Sequence, residues 1–152
     1  MFKHVLVPLD GSGFAELAIP YAVDLAHKSG GKITLIRVIS PPQPTSADLA
    51  PDASKLMWQL RTMADKEAQD YLQALTDSLN KQGHTADWDI TGDPSPADSI
   101  LTMATEKGVD AIVMSTHGRS GLGRFVFGSV AEKVVRHSDV PVLLIRAKET
   151  AS

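Results

Sequence analysis

Five short apolar runs alternate with longer helical patterns along the chain, and this alternation constrains the fold more than any other feature. In the longer segments, apolar residues recur at spacings of three and four, which is typical of helices that bury one side. Strands that alternate with helices form a parallel sheet covered on both faces, with right-handed crossovers. The sequence therefore predicts a three-layer α/β/α sandwich around a five-stranded parallel sheet. The predicted strands are residues 4–9, 32–39, 85–91, 111–114 and 141–146.

The composition is that of an ordinary globular domain. Of the 152 residues, 43% are hydrophobic and 22% are charged, and a chain of this size buries roughly 70% of its unfolded surface in one core. We therefore predict a single domain over residues 1–152, ending in a polar tail at 147–152. The absence of cysteine excludes disulfide and thiolate chemistry.

Charge and hydropathy narrow the range of partners. No apolar run approaches the ~20 residues of a membrane span, and the N-terminus lacks the apolar segment of a signal peptide. We expect a cytoplasmic protein without a membrane partner. A net charge of -3 without a basic block argues against nucleic acid. An anionic small ligand remains compatible, because a nest of N–H groups binds phosphate even on an acidic protein.

Residues 109–130 join an apolar strand to a glycine-rich loop and then to a helical pattern. Gly118, Gly121 and Gly123 lie in the loop, and Gly128 and Ser129 precede the helix. Glycines allow close approach of an anion, and a helix N-terminus supplies unpaired N–H groups. The pattern favours a phosphate-binding loop, although it matches neither a Walker loop nor a dinucleotide fingerprint, and such glycines are also ordinary turn residues.

Helix starts and buried faces can be predicted from the same patterns. Ser12 is expected to cap a first helix that buries Leu17 and Tyr21 and is kinked at Pro20. The spacing of apolar residues predicts a helix over 55–81 with three large side chains of its first half facing inward, namely Leu56, Leu60 and Met63. Ser129, followed by Glu132, is typical of a capping box at the last helix.

Several segments resemble the universal stress protein family. They are V-L-V-P-L-D-G-S near the N-terminus, M-S-T-H-G-R-S-G-L-G-R-F-V-F-G-S-V-A-E-K-V-V, and S-D-V-P-V-L-L-I-R. The resemblance covers essentially the whole chain and implies a Rossmann-like fold of the adenine-nucleotide alpha-hydrolase type. The nucleotide-binding branch carries G-x-x-G, nine residues, then G-[ST]. Gly118, Gly128 and Ser129 match this pattern, and Ser115 stands in place of its first glycine.

The resemblance implies an ATP site at the ends of the first and fourth strands. Asp10 would lie near the ribose or a bound Mg²⁺ or Mn²⁺, and Val38 near adenine. The phosphates would meet backbone N–H groups and the Ser129 hydroxyl. Without a ligand, Asp10 can simply fix its turn, Ser129 can cap its helix, Val38 can be core and Arg119 can be solvated. The implied cofactor-binding residues are Pro8, Leu9, Asp10, Val38, Met114, Ser115, His117, Gly118, Arg119, Gly128, Ser129 and Val130.

Catalytic and metal-binding patterns are missing from the sequence. The chain has no nucleophile elbow and no H-E-x-x-H, and His117 has no second ligand at metal-binding spacing. The other four histidines are scattered and receive no role. We predict neither catalytic residues nor a metal site built from side chains. Asp10 with Mg²⁺ would support at most slow hydrolysis of ATP.

The last strand, residues 140–146, is apolar on both faces. The resemblance implies that it lies at a sheet edge and joins two copies in a homodimer. The resulting interpretation is a universal stress protein whose bound ATP changes its dimer or its contacts with an unknown protein partner. A slow ATP hydrolase or phosphoryl-transfer enzyme is one alternative. A nucleotide-free interaction module, in which Ser115 closes the pocket, is the other.

Overall fold

The computed structural model describes residues 1–40, 52–92, 94–117 and 127–146. Strands and helices alternate as the sequence predicts, and the first two strands have the predicted bounds. The polar tail and most of the glycine-rich loop lie outside the described residues. The elements are β1 (His4–Leu9), α1 (Gly13–Glu16), α2 (Ile19–His27), β2 (Lys32–Ile39), α3 (Ala53–Lys81), β3 (Thr85–Gly92), α4 (Pro96–Glu106), β4 (Ala111–Ser115), α5 (Ser129–His137) and β5 (Val142–Ile145).

The five strands form one parallel sheet in the order β3-β2-β1-β4-β5. Val5 of β1 is in register with Ile33 of β2 on one side and with Ala111 of β4 on the other. The direction of winding therefore reverses between β1 and β4. In open α/β sheets, a crevice forms at this point beyond the carboxyl ends of the strands. The predicted parallel sheet is confirmed.

Helices cover both faces of the sheet, which confirms the three layers. Val5 and Val7 of β1 belong to an apolar cluster that includes buried residues of α1, α2 and α3. Leu6, between them, belongs to a second cluster with buried residues of α4 and α5. This alternation follows from the two-residue period of a strand, which sends successive side chains to opposite faces.

The first predicted helix is two helices, so the prediction of one kinked helix is wrong. Ser12 caps α1 as expected, accepting a hydrogen bond from the Ala15 N–H at 3.2 Å. Pro20 lies in the first turn of α2, where its missing N–H costs no helical hydrogen bond. Leu17 and Tyr21 were expected to face inward, but they are 42% and 52% exposed. The core side of this segment is formed instead by the small residues Ala18, Ala22 and Ala26, which are buried.

The first half of α3 also differs from the prediction. Leu56, Leu60 and Met63 are 47–69% exposed, and the buried residues of α3 begin at Ala68. A side chain added at Gly92, the last residue of β3, would collide with Arg61. The first turns of α3 therefore extend past the carboxyl end of the sheet, where no strand lies beneath them. Helical spacing indicates which residues share a face but not where the supporting sheet stops.

Candidate functional site

The turn after β1 fixes a carboxylate at the carboxyl end of the sheet. One oxygen of Asp10 accepts hydrogen bonds from the Ser12 N–H at 2.9 Å and from the Ser12 hydroxyl at 2.5 Å. Gly11 between them has φ 85°, a conformation that favours glycine. The Ser12 hydroxyl also accepts the Ala15 N–H, so the turn and the start of α1 form one hydrogen-bonded unit. This unit orients a negative charge beside the end of β4.

The residues at the end of β4 are buried and have small side chains. Ser115 and Thr116 are 7% and 1% exposed. The Ser115 hydroxyl donates to the His117 carbonyl at 3.0 Å, and the Thr116 hydroxyl lies 3.0 Å from Nδ1 of His117. Ser115 is the last residue of β4, and throughout the described ranges only glycines have positive φ. A serine at this position therefore requires no strained backbone.

The start of α5 presents N–H groups that no helical carbonyl accepts. The first helical hydrogen bond runs from the Glu132 N–H to the Gly128 carbonyl at 3.0 Å. The N–H groups of Ser129, Val130 and Ala131 precede that bond, and no side chain caps the helix. Together with the partial positive charge of a helix N-terminus, three such donors favour an anion.

Ser129 does not cap α5, so that prediction is wrong. Gly128 is the N-cap, with extended φ and ψ of -58° and 147°, and Ser129 is the first helical residue. The predicted capping box between Ser129 and Glu132 is therefore absent. Glu132 lies four residues after the N-cap Gly128, one more than a capping box requires. Glu132 pairs instead with Arg136 at 2.8 Å on the exposed side of α5.

A single backbone bond joins the last helix to the end of β4. The Gly128 N–H donates to the Thr116 carbonyl at 2.8 Å, so Gly128 itself is not a free phosphate donor in this structure. A Cβ at residue 128 would lie 3.1 Å from that same carbonyl oxygen. Glycine thus allows the two segments to approach closely. The sequence gives no indication that Thr116 belongs to the site, because Thr116 holds the start of α5 through its backbone carbonyl and not through its side chain.

An apolar wall lies on the same side of the sheet as α5. Val38 and Val130 are partly buried and pack against the second cluster, of which Met114 is a buried member at 6% exposure. Leu9, at 5% exposure, packs into the cluster on the opposite face. Leu9 is therefore available to a ligand only through its backbone. Because Met114 is buried in the core, its backbone rather than its side chain borders the crevice.

The fold brings most of the predicted site residues to one edge of the sheet. Asp10 follows β1, Ser115 ends the neighbouring parallel strand β4, and the bond between Thr116 and Gly128 places the start of α5 beside them. Gly118 and Arg119 lie outside the described residues, and their predicted roles stay predictions.

A polar cluster supports α1 directly after the Asp10 turn. The Tyr71 hydroxyl of α3 donates to the Glu16 carboxylate of α1 at 2.7 Å. The Arg37 guanidinium lies 5.6 Å from the centre of the Tyr71 ring and 3.8 Å from the Glu67 carboxylate. Burial and the bond to Glu16 raise the pKa of Tyr71 above its ordinary value. The hydroxyl therefore remains a donor that holds α1 against α3.

Neither a metal-binding cluster nor a membrane-spanning helix occurs in the described ranges. No group of three or more histidine, cysteine or acidic side chains there is placed to hold a metal ion. No helix in those ranges combines the length and apolar character needed to cross a membrane.

The parallel sheet of order β3-β2-β1-β4-β5, in which the winding reverses between β1 and β4, is that of a Rossmann-like domain of the adenine-nucleotide alpha-hydrolase type. The chain belongs to the universal stress protein family, because the model described as "Universal stress protein family" matches residues 1–146.

Curated and structural relatives agree with this assignment. The chain is 32% identical to universal stress protein YxiE of Bacillus subtilis over 149 residues, which cover 96% of this chain and 100% of YxiE. The structure of MJ0577, a universal stress protein of Methanocaldococcus jannaschii, superposes with a TM-score of 0.83 and 26% identity over 99% of both chains.

Two more distant structures share this fold and were determined with nucleotides. A universal stress protein of Archaeoglobus fulgidus, determined in complex with dAMP, has a TM-score of 0.63 at 20% identity and covers 95% of this chain and 98% of its own. Another universal stress protein, in complex with cAMP, has a TM-score of 0.59 at 22% identity and covers 95% of this chain and 97% of its own.

Proposed function

We propose that this protein binds ATP in the crevice between β1 and β4, with its phosphates at the start of α5. The observation that carries the proposal is the set of three N–H groups, of Ser129, Val130 and Ala131, that precede the first helical hydrogen bond. The bond from Gly128 to Thr116 holds these donors beside the crevice. The Ser129 side chain is exposed at the first helical position, which supports a role for its hydroxyl as a further donor.

The adenine end of the ligand would meet an apolar wall and backbone groups. Val38 and Val130 supply partly buried aliphatic surface, and the strand ends at Leu9 and Met114 supply backbone donors and acceptors. Two structurally similar proteins of the family were determined with adenine nucleotides bound, dAMP in one and cAMP in the other. These observations support adenine as the base.

The residues of the crevice are compatible with a Mg²⁺ ion that accompanies the nucleotide. Mg²⁺ is usually held by one or two carboxylates together with substrate phosphates, and it prefers oxygen ligands. Asp10 supplies a carboxylate in a fixed turn at the required edge of the sheet. When bound, the ion would neutralise phosphate charge. Asp10 would hold it, and Ser12 would keep the Asp10 carboxylate in place.

We further propose that the protein forms a homodimer through β5. Both β3 and β5 are edge strands, but they differ in how their outer backbone groups are used. The Asn80 side chain bonds both the N–H and the carbonyl of Ala86 in β3, and the Asp89 carboxylate accepts the Ile90 N–H. The outer edge of β3 is therefore partly blocked.

The outer edge of β5 has no comparable protection. The carbonyl of Pro141 accepts a hydrogen bond from Ile112 of β4, and that of Ile145 accepts one from Thr116 directly after β4. The backbone groups of Val142 and Leu144 therefore point away from the sheet. Within the described part of the chain, no side chain bonds to these outward groups. All four residues of β5 are aliphatic, and Leu143 is 41% exposed. An uncharged open edge of this kind favours pairing with a second copy.

The combined proposal is a stress-response protein whose nucleotide state changes its dimer or its partner contacts. The test begins with the purified protein, denatured gently, and mass spectrometry of any released nucleotide. Calorimetric titration of nucleotide-free protein with ATP then compares wild type with a variant altered at the start of α5. We expect ATP binding in wild type, and a change in sedimentation between nucleotide-free and ATP-bound protein. Failure of ATP to bind the nucleotide-free protein would contradict the proposed ATP site.

A time course with labelled ATP and Mg²⁺ separates this proposal from its alternative. A binding protein leaves ATP intact over many times the binding period, whereas a slow hydrolase releases phosphate in proportion to enzyme concentration.

A further inference from the structure

Two histidines that are far apart in the sequence meet at the end of the sheet opposite the nucleotide crevice. The ring centres of His27 and His84 lie 5.8 Å apart, with their planes at 89°. His27 is the last residue of α2, and His84 directly precedes β3. Both rings line a cavity of about 140 Å³ that also contacts Gly30 and Gly83.

Similar backbone turns place the two rings. After α2, the Gly30 N–H donates to the His27 carbonyl at 3.1 Å, and Gly30 has φ 60°. After α3, the His84 N–H donates to the Leu79 carbonyl at 3.1 Å, and Gly83 has φ 89°. Such left-handed turns are typical of helix C-termini and leave little freedom for the residues that flank them. The backbone positions from which the two rings project are thus set by two hydrogen-bonded turns.

Among the described residues, the ring nitrogens of these two histidines make no hydrogen bond, whereas each of the other three histidines has one ring nitrogen in a hydrogen bond. His4 bonds the Thr34 hydroxyl, His117 bonds the Thr116 hydroxyl, and His137 bonds the Lys133 carbonyl. Over the described ranges, His27 and His84 make no hydrogen bond or ion pair through their rings. Their only specific ring contact there is with each other.

The separation of the rings suits a shared metal ion. An imidazole nitrogen lies about 2 Å from a bound zinc ion, which puts each ring centre about 3 Å from it and two ring centres about 5–6 Å apart. Neutral imidazoles are preferred ligands of zinc, copper and nickel. The ion would also lie beside the C-terminus of the nine-residue helix α2, whose partial negative charge favours a cation. Next to His27, Lys28 is paired with Asp24 at 2.7 Å.

We propose that His27 and His84 bind one divalent first-row transition metal ion between them, with water completing its coordination. The site is separate from any Mg²⁺ at Asp10, since it lies at the amino ends of the strands. The bound ion would bridge the end of α2 and the start of β3. The proposed metal site does not depend on the nucleotide site, so either proposal can fail without the other. A purely aromatic edge-to-face contact is the competing explanation, and it predicts no response to metal.

Calorimetric titration of tag-free protein with CuCl₂ and with ZnCl₂ tests the proposal. We expect one ion per chain, with copper bound more tightly than zinc. His27→Gln and His84→Gln should each weaken binding about 100-fold, because two ligands on one scaffold act at high effective concentration. His137→Gln is the matched control, since it removes an exposed histidine outside the pair. It should bind copper as wild type does.

Electron spin-echo spectroscopy of the copper complex identifies the ligands directly. Two coordinated imidazoles are expected in wild type and in His137→Gln, and one or none in the variants of the pair. The melting temperature without metal should change little in all three variants, since both rings lie at the surface or half-buried. With metal, only wild type and the control should melt at a higher temperature. Equal copper affinity in wild type and in the double variant, or no copper binding, would overturn the proposal.

Discussion

The N–H of Gly128 donates a hydrogen bond to the carbonyl oxygen of Thr116 at 2.8 Å, and this bond sets where α5 begins relative to β4. It occupies the donor of Gly128 and leaves the next three N–H groups without helical partners. It also makes residue 128 a tight position for a side chain, because a Cβ there would lie 3.1 Å from the same oxygen and the contact would have to open by a few tenths of an ångström. The position of the proposed phosphate site follows from this contact.

Substitution of Gly128 should therefore weaken ATP binding. In Gly128→Val, a branched side chain would push α5 away from Thr116 and obstruct the approach of phosphate. We expect at least about tenfold weaker binding by calorimetry, a loss of about 1.4 kcal/mol. Valine is also a poor N-cap, so the melting temperature should fall.

A second variant separates binding from folding. Serine is a favourable N-cap, so Gly128→Ser should retain more stability than the valine variant, yet its side chain would compete for the free N–H groups. It should still weaken ATP binding. Thr105→Val, on the exposed side of α4, controls for the introduction of valine. ATP affinity equal to wild type in both variants of Gly128 would place the phosphates elsewhere.

The hydrogen bond from Tyr71 to Glu16 should contribute measurably to stability. Tyr71→Phe leaves a half-buried carboxylate without this donor, and bonds to charged groups contribute about 1.5–3 kcal/mol. We expect urea denaturation to show a loss near the lower end of that range, because the site is only partly buried. Tyr21→Phe is the control, since Tyr21 is 52% exposed and its hydroxyl has no partner among the described residues. Equal losses in the two variants would contradict a specific role of this bond.

His4 should make stability depend on pH. Burial, and then the nearby Lys32 charge, lower the pKa of His4 from 6.5, although Asp87 and Asp110 act in the opposite direction. The unfolded chain thus binds this proton more readily than the folded protein. The stability that the folded protein gains from neutral His4 is present above pH 6.5. It is lost as the pH falls toward the pKa of His4 in the folded protein.

The comparison with His4→Gln isolates this effect. Between about pH 7.5 and about pH 5.5, the free energy of unfolding should fall less in the variant than in wild type. Urea denaturation at both pH values gives the difference. The same fall in the free energy of unfolding in both proteins would show that the lowered pKa of His4 does not contribute to the pH dependence of stability.

The proposed dimer should depend on β5. Leu143→Lys places a charge on an exposed aliphatic edge strand, a substitution that natural edge strands use against pairing. Sedimentation velocity should detect a shift from dimer to monomer. Trp58→Lys is the control, because Trp58 is 68% exposed on α3 and lies outside the proposed interface. Dissociation by the control, with a dimer retained in Leu143→Lys, would move the interface to α3.

The sheet can be predicted well from the sequence, because the signals for each strand and helix lie in neighbouring residues. Short apolar runs, and glycines such as Gly30, Gly83 and Gly108 after the helices, indicate where strands and helices end. The bounds of β1 and β2 were predicted residue by residue, and all five strands were identified. Right-handed crossovers then leave few arrangements of five parallel strands.

The sequence does not reveal features that depend on distant contacts. The cap at Gly128 rather than Ser129 follows from the bond to Thr116, which periodicity cannot indicate. The exposure of Met63 depends on where the sheet ends beneath α3. His27 and His84 are separated by a strand and a long helix, and only the fold brings their rings together.

The most direct test of the nucleotide site is a titration of ¹⁵N-labelled, nucleotide-free protein with ATP and Mg²⁺, followed by NMR of the backbone amides. If the phosphates bind at the proposed site, the largest shifts fall on Ser129, Val130 and Ala131, together with the turn at Asp10 and the end of β4. Large shifts confined to other parts of the protein, or no shifts at saturating ATP, would contradict the proposed site.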